Sequence, residues 1–232
     1  MTDQTVTHHG AGRRALTSLS RHGVRGTLER VHRRAIAPLV RLVYQREEHI
    51  WVIIDVDDPP PLPEGYVLRR GGEEDLDALA AIGGIAPATG RAYLEGGARL
   101  YVATHGDDLA FATWIHVDRV PLASAPGGWL HLPPELVSFE DSIAAPAHRR
   151  GGIAIAAVLQ VAEIEKAAGS EPPISRIDAR NAPARAWARK MGAREVATTF
   201  LRRIGPFRKA RVDPLPGGEH VAELLASQVG RR

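Results

Sequence analysis

The chain has 232 residues, of which 44% are hydrophobic and 25% charged, with a formal net charge of +3. That length supports one well-buried core with some extension. Cysteine is absent, which excludes disulfides, thiolate metal sites and a cysteine nucleophile; no apolar run approaches the ~20 residues of a membrane span, and no secretory h-region is visible.

The expectation is therefore a soluble, cytoplasmic protein. Charge is unevenly placed. Residues 1–50 hold nine Arg against four acidic residues, a net of +5, and the remainder nets −2. The basicity belongs to the N-terminal segment rather than to the whole chain.

In chain order, residues 1–12 are polar. Residues 13–46 read as one or two helices, with Leu28, Val31, Ala35, Leu39 and Leu42 at helical spacing and arginines between them. A strand-like run follows at Ile50 to Val56. Asp57 to Gly65 is rich in proline and reads as a stiff connector. The expected boundaries are a basic N-terminal extension at 1–58, a connector at 59–65, a main domain at 66–206 and a tail with a short helix at 207–232.

Within the main domain, Tyr66 to Arg70 reads as a strand and Glu73 to Ile82 as a helix with acidic residues in its first turn. A second helix spans about Thr89 to Leu94. Arg99 to Thr104 and Leu109 to Val117 form strands joined by the hairpin signal His105-Gly-Asp-Asp108. Residues 118–133 carry three prolines and two glycines and read as a loop. Leu136 to Ala145 is a central strand ending at Pro146. A helix of about four turns starts at Ile153 and stops near Gly169. Ile174 to Ala179 is a strand, 181–192 a helix with Pro183 early in it, and Thr199 to Ile204 a last strand.

The most informative stretch is His148-Arg-Arg-Gly-Gly-Ile-Ala154. It joins a strand to a helix, so backbone N–H groups gather at the helix N-terminus, a place suited to an anion. Gly151 and Gly152 let a phosphate approach the main chain. Arg149 and Arg150 add fixed positive charge. Downstream, Asn181, Ala184 and Gly192 fall in a second register, Asn-x-x-Ala followed by a helix ending in Gly.

Taken together, the two segments resemble the GNAT superfamily of N-acyltransferases over roughly residues 66–206. The resemblance implies an α/β (α+β) fold. Its central sheet is mixed, mostly antiparallel and twisted, flanked by helices and splayed between the family's fourth and fifth strands. It implies acetyl-CoA as co-substrate. Arg149, Arg150, Gly151, Gly152, Ile153 and Ala154 would hold the pyrophosphate. Backbone groups of Ser142, Ile143 and Ala144 would pair with the pantetheine arm like an added strand, and Asn181 belongs to the second motif of the cofactor site. No metal is expected.

For the base that deprotonates the amine, Glu140 is the first choice, because several small-amine acetyltransferases of the superfamily carry an acidic residue there. By alternation it shares a face with Ser142 and Ala144 unless a bulge intervenes. Asp141 is the runner-up. His116 and His131 are spare candidates. The sequence departs from the family at Ala188, where a general-acid tyrosine is frequent, at Ala193 in place of Phe, and at Arg150 in place of Gly; Trp187 reads as core.

The expected activity is N-acetylation of a primary amine of a small molecule such as an amino sugar or metabolite. The alternatives are a non-catalytic acyl-CoA-binding module and a protein N-acetyltransferase. The acceptor pocket is expected from residues 83–98, 118–133 and 199–204, with Glu95, Asp118 and Arg119 as polar candidates. The family also suggests a homodimer. For residues 13–46, packing on the core or on a second subunit is preferred over weak membrane-surface association, and nucleic-acid binding is disfavoured.

Overall fold

The computed structural model describes residues 44–229 except Val56. The helices expected at 13–46 therefore lie outside the described residues, apart from 44–46, which open a strand. That strand, β1 (Tyr44–Ile53), precedes the proline-rich connector. Ile50 and Val52 of β1, with Ile54 just past its end, are buried on one face. Trp51, wholly buried on the other, donates through Nε1 to Thr199 Oγ1 at 3.0 Å.

Past the connector come β2 (Tyr66–Arg70), a single 3-10 turn at Glu73–Asp75, α1 (Leu76–Ala81) and α2 (Pro87–Glu95). The one helix expected at 73–82 is split. Asp75 takes two bonds from Arg69 and one from the Gly72 N–H, which holds the first turn tight. The hairpin β3 (Arg99–His105) and β4 (Asp108–His116) follows.

Residues 118–133, expected as a loop, instead hold a two-stranded hairpin, β5 (Arg119–Pro121) and β6 (Trp129–His131). Val120, Leu122, Leu130 and Leu132 are buried there, an alternation that the prolines and glycines mask in the sequence.

The remaining elements are β7 (Ser138–Ala144), α3 (Ile153–Ala167), β8 (Ile174–Asp178), α4 (Ala182–Lys190), β9 (Arg194–Ile204), β10 (Phe207–Pro214) and α5 (Glu219–Gln228). The tail expected at 207–232 thus contributes a sheet strand as well as a helix.

Eight strands form one sheet in the order β10-β9-β1-β8-β7-β4-β3-β2. Pairings β1–β8, β2–β3, β3–β4 and β4–β7 are antiparallel and β7–β8 is parallel, so the sheet is mixed and mostly antiparallel, as expected. The segment at 59–65 connects β1 to β2, two strands of this sheet. One unit comprises residues 47–201 with 209 onward; the second holds the first residues of β1, 44–46, and the β9–β10 turn.

Helices cover both faces of the large unit. On one face α3 and α4 pack with Ile50, Val52, Phe111, Ile115 and Phe139. On the other, α1 and α2 cover Leu100, Val102, Ala112 and Trp114, and α5 with the β5–β6 hairpin covers Trp51 and Ile174. α3 is buried almost all round, and its single buried acid, Glu165, is held by the Arg99 guanidinium and by Tyr101 Oη at 2.8 Å. A buried charge so paired is tolerated; alone it is not.

Candidate active site

β7 and β8 pair only at Ser138↔Ile174 and Phe139↔Ser175, although both run further. Beyond that point they diverge. The gap opens into a cavity of about 990 Å³ walled by β7, by Arg176 to Asp178 of β8, by the loop before α3 and by α4. Its size suits a large cofactor-like ligand, and the facing edges of the two strands have no ladder partner across it.

A bulge sets the chemistry of this wall. Trp114 pairs with Glu140 but Ala112 with Ile143, so Thr113 faces two β7 residues, Asp141 and Ser142. Asp141 takes φ +49°, a left-handed conformation that Asp tolerates better than most residues. The extra residue reverses the alternation. Phe139 and Ala144 both pack on the α3 face, although an unbroken strand would separate them. Thr113 Oγ1 lies 2.7 Å from Ser142 Oγ. Glu140 instead points to the opposite face, with Ser138. The expected shared face of Glu140, Ser142 and Ala144 is therefore corrected, because the bulge intervenes.

Glu140 is nearly enclosed, its side chain 9% exposed. It accepts from Arg176 Nε at 3.1 Å and from Ser138 Oγ at 3.2 Å. Burial pushes its carboxyl above the ordinary range; Arg176 pulls it back and Asp141 adds upward pressure. A carboxylate so raised accepts a proton more readily than a free one. Asp141 is exposed and accepts from Tyr93 Oη at 3.3 Å. Burial, and then the charge of Asp141, push that phenol to about 12.

The loop below the cleft is built on left-handed backbone. Gly152, the N-cap of α3, has φ +82°, and no atom lies within 4 Å of where its Cβ would be. Arg150 takes φ +71°. The residue that departs from the family pattern thus stands where glycine is the unstrained choice. The first N–H groups of α3 have no partner within the helix, and both arginines line the cavity. Arg149 Nε donates to Ala144 O at 3.1 Å, tying the loop to the end of β7. His148 Nδ1 lies 2.9 Å from Tyr66 Oη, and the rings of Tyr66 and His105 are 4.8 Å apart. This buttress rests on residues far apart in sequence.

Of the residues expected at the site, Glu140, Asp141, Ser142, Ile143, Ala144, Arg149, Arg150, Gly152, Ala154 and Asn181 all line the one cavity. Gly151 is exposed in the turn, and the Ile153 side chain is buried in the core. Asn181 Oδ1 accepts from the Ala184 N–H at 3.1 Å, so it caps α4 as well as facing the cleft. Ala188 is 3% exposed and belongs to the core. Trp187 and Lys190 of the same helix line the cavity, so Trp187 is more than core.

His116 is buried, and burial pulls its pKa down; its Nε2 has no partner among the described residues, and its ring packs edge-on to Tyr93. The backbone of His131 pairs with the Gln228 side chain on α5. Arg119 lies over the Trp129 ring. Among the described residues, no three His, Asp or Glu side chains gather as metal ligands.

A second cavity of about 450 Å³ is lined by Glu47 and His49 of β1, Arg176 and Asp178 of β8, and residues 121–123 and Gly128. The 118–133 segment contributes to it, but residues 83–98 and 199–204, expected with it around the acceptor, do not; Thr199 is engaged by Trp51. Arg176, His49 and Glu47 were not legible as site residues in sequence. Nothing in their local sequence sets them apart from other strand residues, and only the pairing of β1 with β8, which sets His49 opposite Asp178, brings them together.

No protein-family model matches the sequence, and no curated protein does either. Solved structures do. A GNAT-family acetyltransferase from Colwellia psychrerythraea is 13% identical, with a TM-score of 0.51 over 69% of this chain and 56% of that one. A GNAT-family protein from Novosphingobium aromaticivorans is 19% identical, with a TM-score of 0.50 over 67% and 63%.

The chain has the GNAT fold.

A Drosophila protein, 15% identical, aligns with a TM-score of 0.50 over 78% of this chain and 58% of its own. In each case the chain spans less than two thirds of the structure it matches. In this GNAT sheet, the opening between parallel β7 and β8 is the splay expected from the sequence. Among the described residues, no helix is long and apolar enough to cross a membrane.

Proposed function

We propose that this protein is an N-acetyltransferase that moves the acetyl group of acetyl-CoA to a primary amine of a small molecule. The observation that carries this reading is a single cleft with a glycine-based anion loop at one end and a buried carboxylate, Glu140, in its wall. The residues fit the co-substrate. The left-handed turn at Gly152, with open space where a Cβ would stand, admits a pyrophosphate close to the first N–H groups of α3. Arg149 and Arg150 would neutralise its charge, and the unpaired edge of β7 at Ser142 to Ala144 would take an extended amide arm.

When bound, acetyl-CoA supplies an activated acyl group. The chain supplies the rest. Glu140 accepts the proton that the amine must lose, Arg176 holds that carboxylate in place, and Ser138 fixes its second oxygen. Asp141, partnered with Tyr93, is the alternative acceptor of the proton. Ala188 is buried and has no proton to give, so the leaving thiolate takes its proton from water or from Lys190, which lines the cleft from the same helix.

A second reading, acyl-CoA binding without turnover, is favoured by that missing acid alone. Titration calorimetry with acetyl-CoA tests the donor half: micromolar binding by the wild type is expected to vanish in Arg149→Ala/Gly152→Asp, whose new carboxylate repels phosphate. Binding by the wild type with no CoA released over a broad panel of amines would support the second reading. Absence of binding by the folded wild type would overturn both.

A further inference from the structure

A hydroxyl carries one hydrogen and can also accept one. The Thr113 side chain is wholly buried, and its Oγ1 lies 2.7 Å from Ser142 Oγ. It meets no other partner among the described residues. Either oxygen could donate across that distance, but the two arrangements differ in cost. If Ser142 donated, the Thr113 hydrogen would be buried with no acceptor, and the desolvation of that donor would go uncompensated. If Thr113 donates, both groups are satisfied, because Ser142 is exposed and lines the cleft. Ser142 therefore accepts from Thr113 and turns its own hydrogen toward the cleft.

Thr113 alternates with Phe111 and Ile115 along β4, so it stands on the face that α3 and α4 cover. Ser142 reaches that face, whereas Glu140 points to the opposite one with Trp114, its partner across the ladder. Asp141, the bulged residue between them, is bonded to Tyr93. Ala188, with no proton to give, lies on the Ser142 side. From the loop at 149–152, β7 is met in the order Ala144, Ile143, Ser142 and then Glu140, all of them on the cleft. An extended arm held on that edge, with its phosphates at the loop, brings its reacting end between Ser142 and Glu140. The base and the hydroxyl thus flank that end from opposite faces of the sheet.

We propose that Ser142 is a catalytic residue whose hydroxyl donates a hydrogen bond to the sulfur of the leaving thiolate, and that Thr113 is the positioning residue that fixes the direction of that donation. This role rests on the acetyltransferase reading above. In the step it serves, the amine nitrogen bonds to the acyl carbon, its proton passes to Glu140, and the carbon–sulfur bond breaks with its electron pair left on sulfur. Ser142 keeps its own proton, since an aliphatic alcohol is a weaker acid than a thiol. It stabilises the negative sulfur until water or Lys190 protonates it.

Two measurements separate the role from the reading. The thiol of bound CoA is titrated by its thiolate absorbance in the ultraviolet, with no acetyl transfer involved. Separately, kcat is measured with acetyl-CoA and the best acceptor of the amine panel. Ser142→Ala should raise the pKa of the bound thiol by about one and lower kcat about tenfold or more, the loss of one hydrogen bond to a charged group. Acetyl-CoA affinity, read by calorimetry, should stay unchanged. Thr113→Val keeps the shape of the buried side chain but removes its hydroxyl, and should show part of both effects. Thr113→Ser keeps the hydroxyl and drops the methyl, and should recover most of what Thr113→Val loses; a role in packing alone predicts the reverse order. A bound thiol whose pKa Ser142→Ala does not move overturns the proposal, as does a loss of rate carried wholly by acetyl-CoA affinity. A thiol pKa that depends on Ser142, with no CoA released to any amine by the wild type, keeps the contact with sulfur and overturns the acetyltransferase reading. Acetyl transfer that Ser142→Ala leaves at full kcat does the reverse.

Discussion

Glu140 combines three physical influences, and their signs predict its behaviour. Burial raises its pKa and Arg176 lowers it, with the rise prevailing. In the proposed role of base it must be ionised, so kcat/KM should climb as pH rises through that elevated value. Glu140→Gln should lower kcat by about 10²–10⁴-fold and flatten that limb, while acetyl-CoA affinity, read by calorimetry, stays the same. Stability runs the other way. The folded state holds this proton above the ordinary carboxyl pKa, so its contribution is complete at low pH and is lost as pH climbs from that value through the raised one. Arg150 carries a different strain. At φ +71° a side chain costs about 1–2 kcal/mol, so Arg150→Gly should hold the melting temperature or raise it. Arg150→Ile should lower it, because a branched Cβ fits this backbone worst.

Each element that shapes the cleft relies on a partner remote in sequence. α3 presents its N-terminus to the cleft and is anchored near its far end by Glu165 against Arg99 and Tyr101 of β3. Removing one member of a buried pair leaves the other unpaired. Glu165→Ala is accordingly expected to cost about 3 kcal/mol, read as the shift of the urea midpoint, with Glu165→Gln losing less. β7 owes its geometry at the cleft to one inserted residue. Composition marks 136–145 as a strand, yet nothing in Glu140-Asp-Ser-Ile announces that Asp141 bulges. That depends on how β4 is registered against it.

At the scale of the molecule, β1 is the instructive case. It stands before a proline-rich connector and pairs with β8 inside the eight-stranded sheet. A chain starting at residue 59 would expose the edge of β8 and leave Thr199 without Trp51. Such a chain should lose the cooperative thermal transition of the full protein, as followed by circular dichroism. Retention of a cooperative transition would mean that the later residues fold alone. The same strand supplies Glu47 and His49, so the second cavity exists only because the sheet closes around β1.

By itself the sequence determined α3, the strands β2 to β4 and the glycine loop between β7 and α3, but not the β5–β6 hairpin or β10. Periodicity marks α3 and β2 to β4, and Gly151-Gly152 beside two arginines marks the proposed anion site, because these signals are local and carried by neighbouring residues. It also named the carboxylates, since their chemistry goes with residue type. Tertiary structure decided which way Glu140 points, that Arg176 holds it, that β1 joins the sheet and that His49 meets Asp178. Those outcomes turn on strand register and on a bulge, where a shift of one residue exchanges the faces of a sheet, and the energies that fix them come from contacts between segments as far apart as residues 51 and 199.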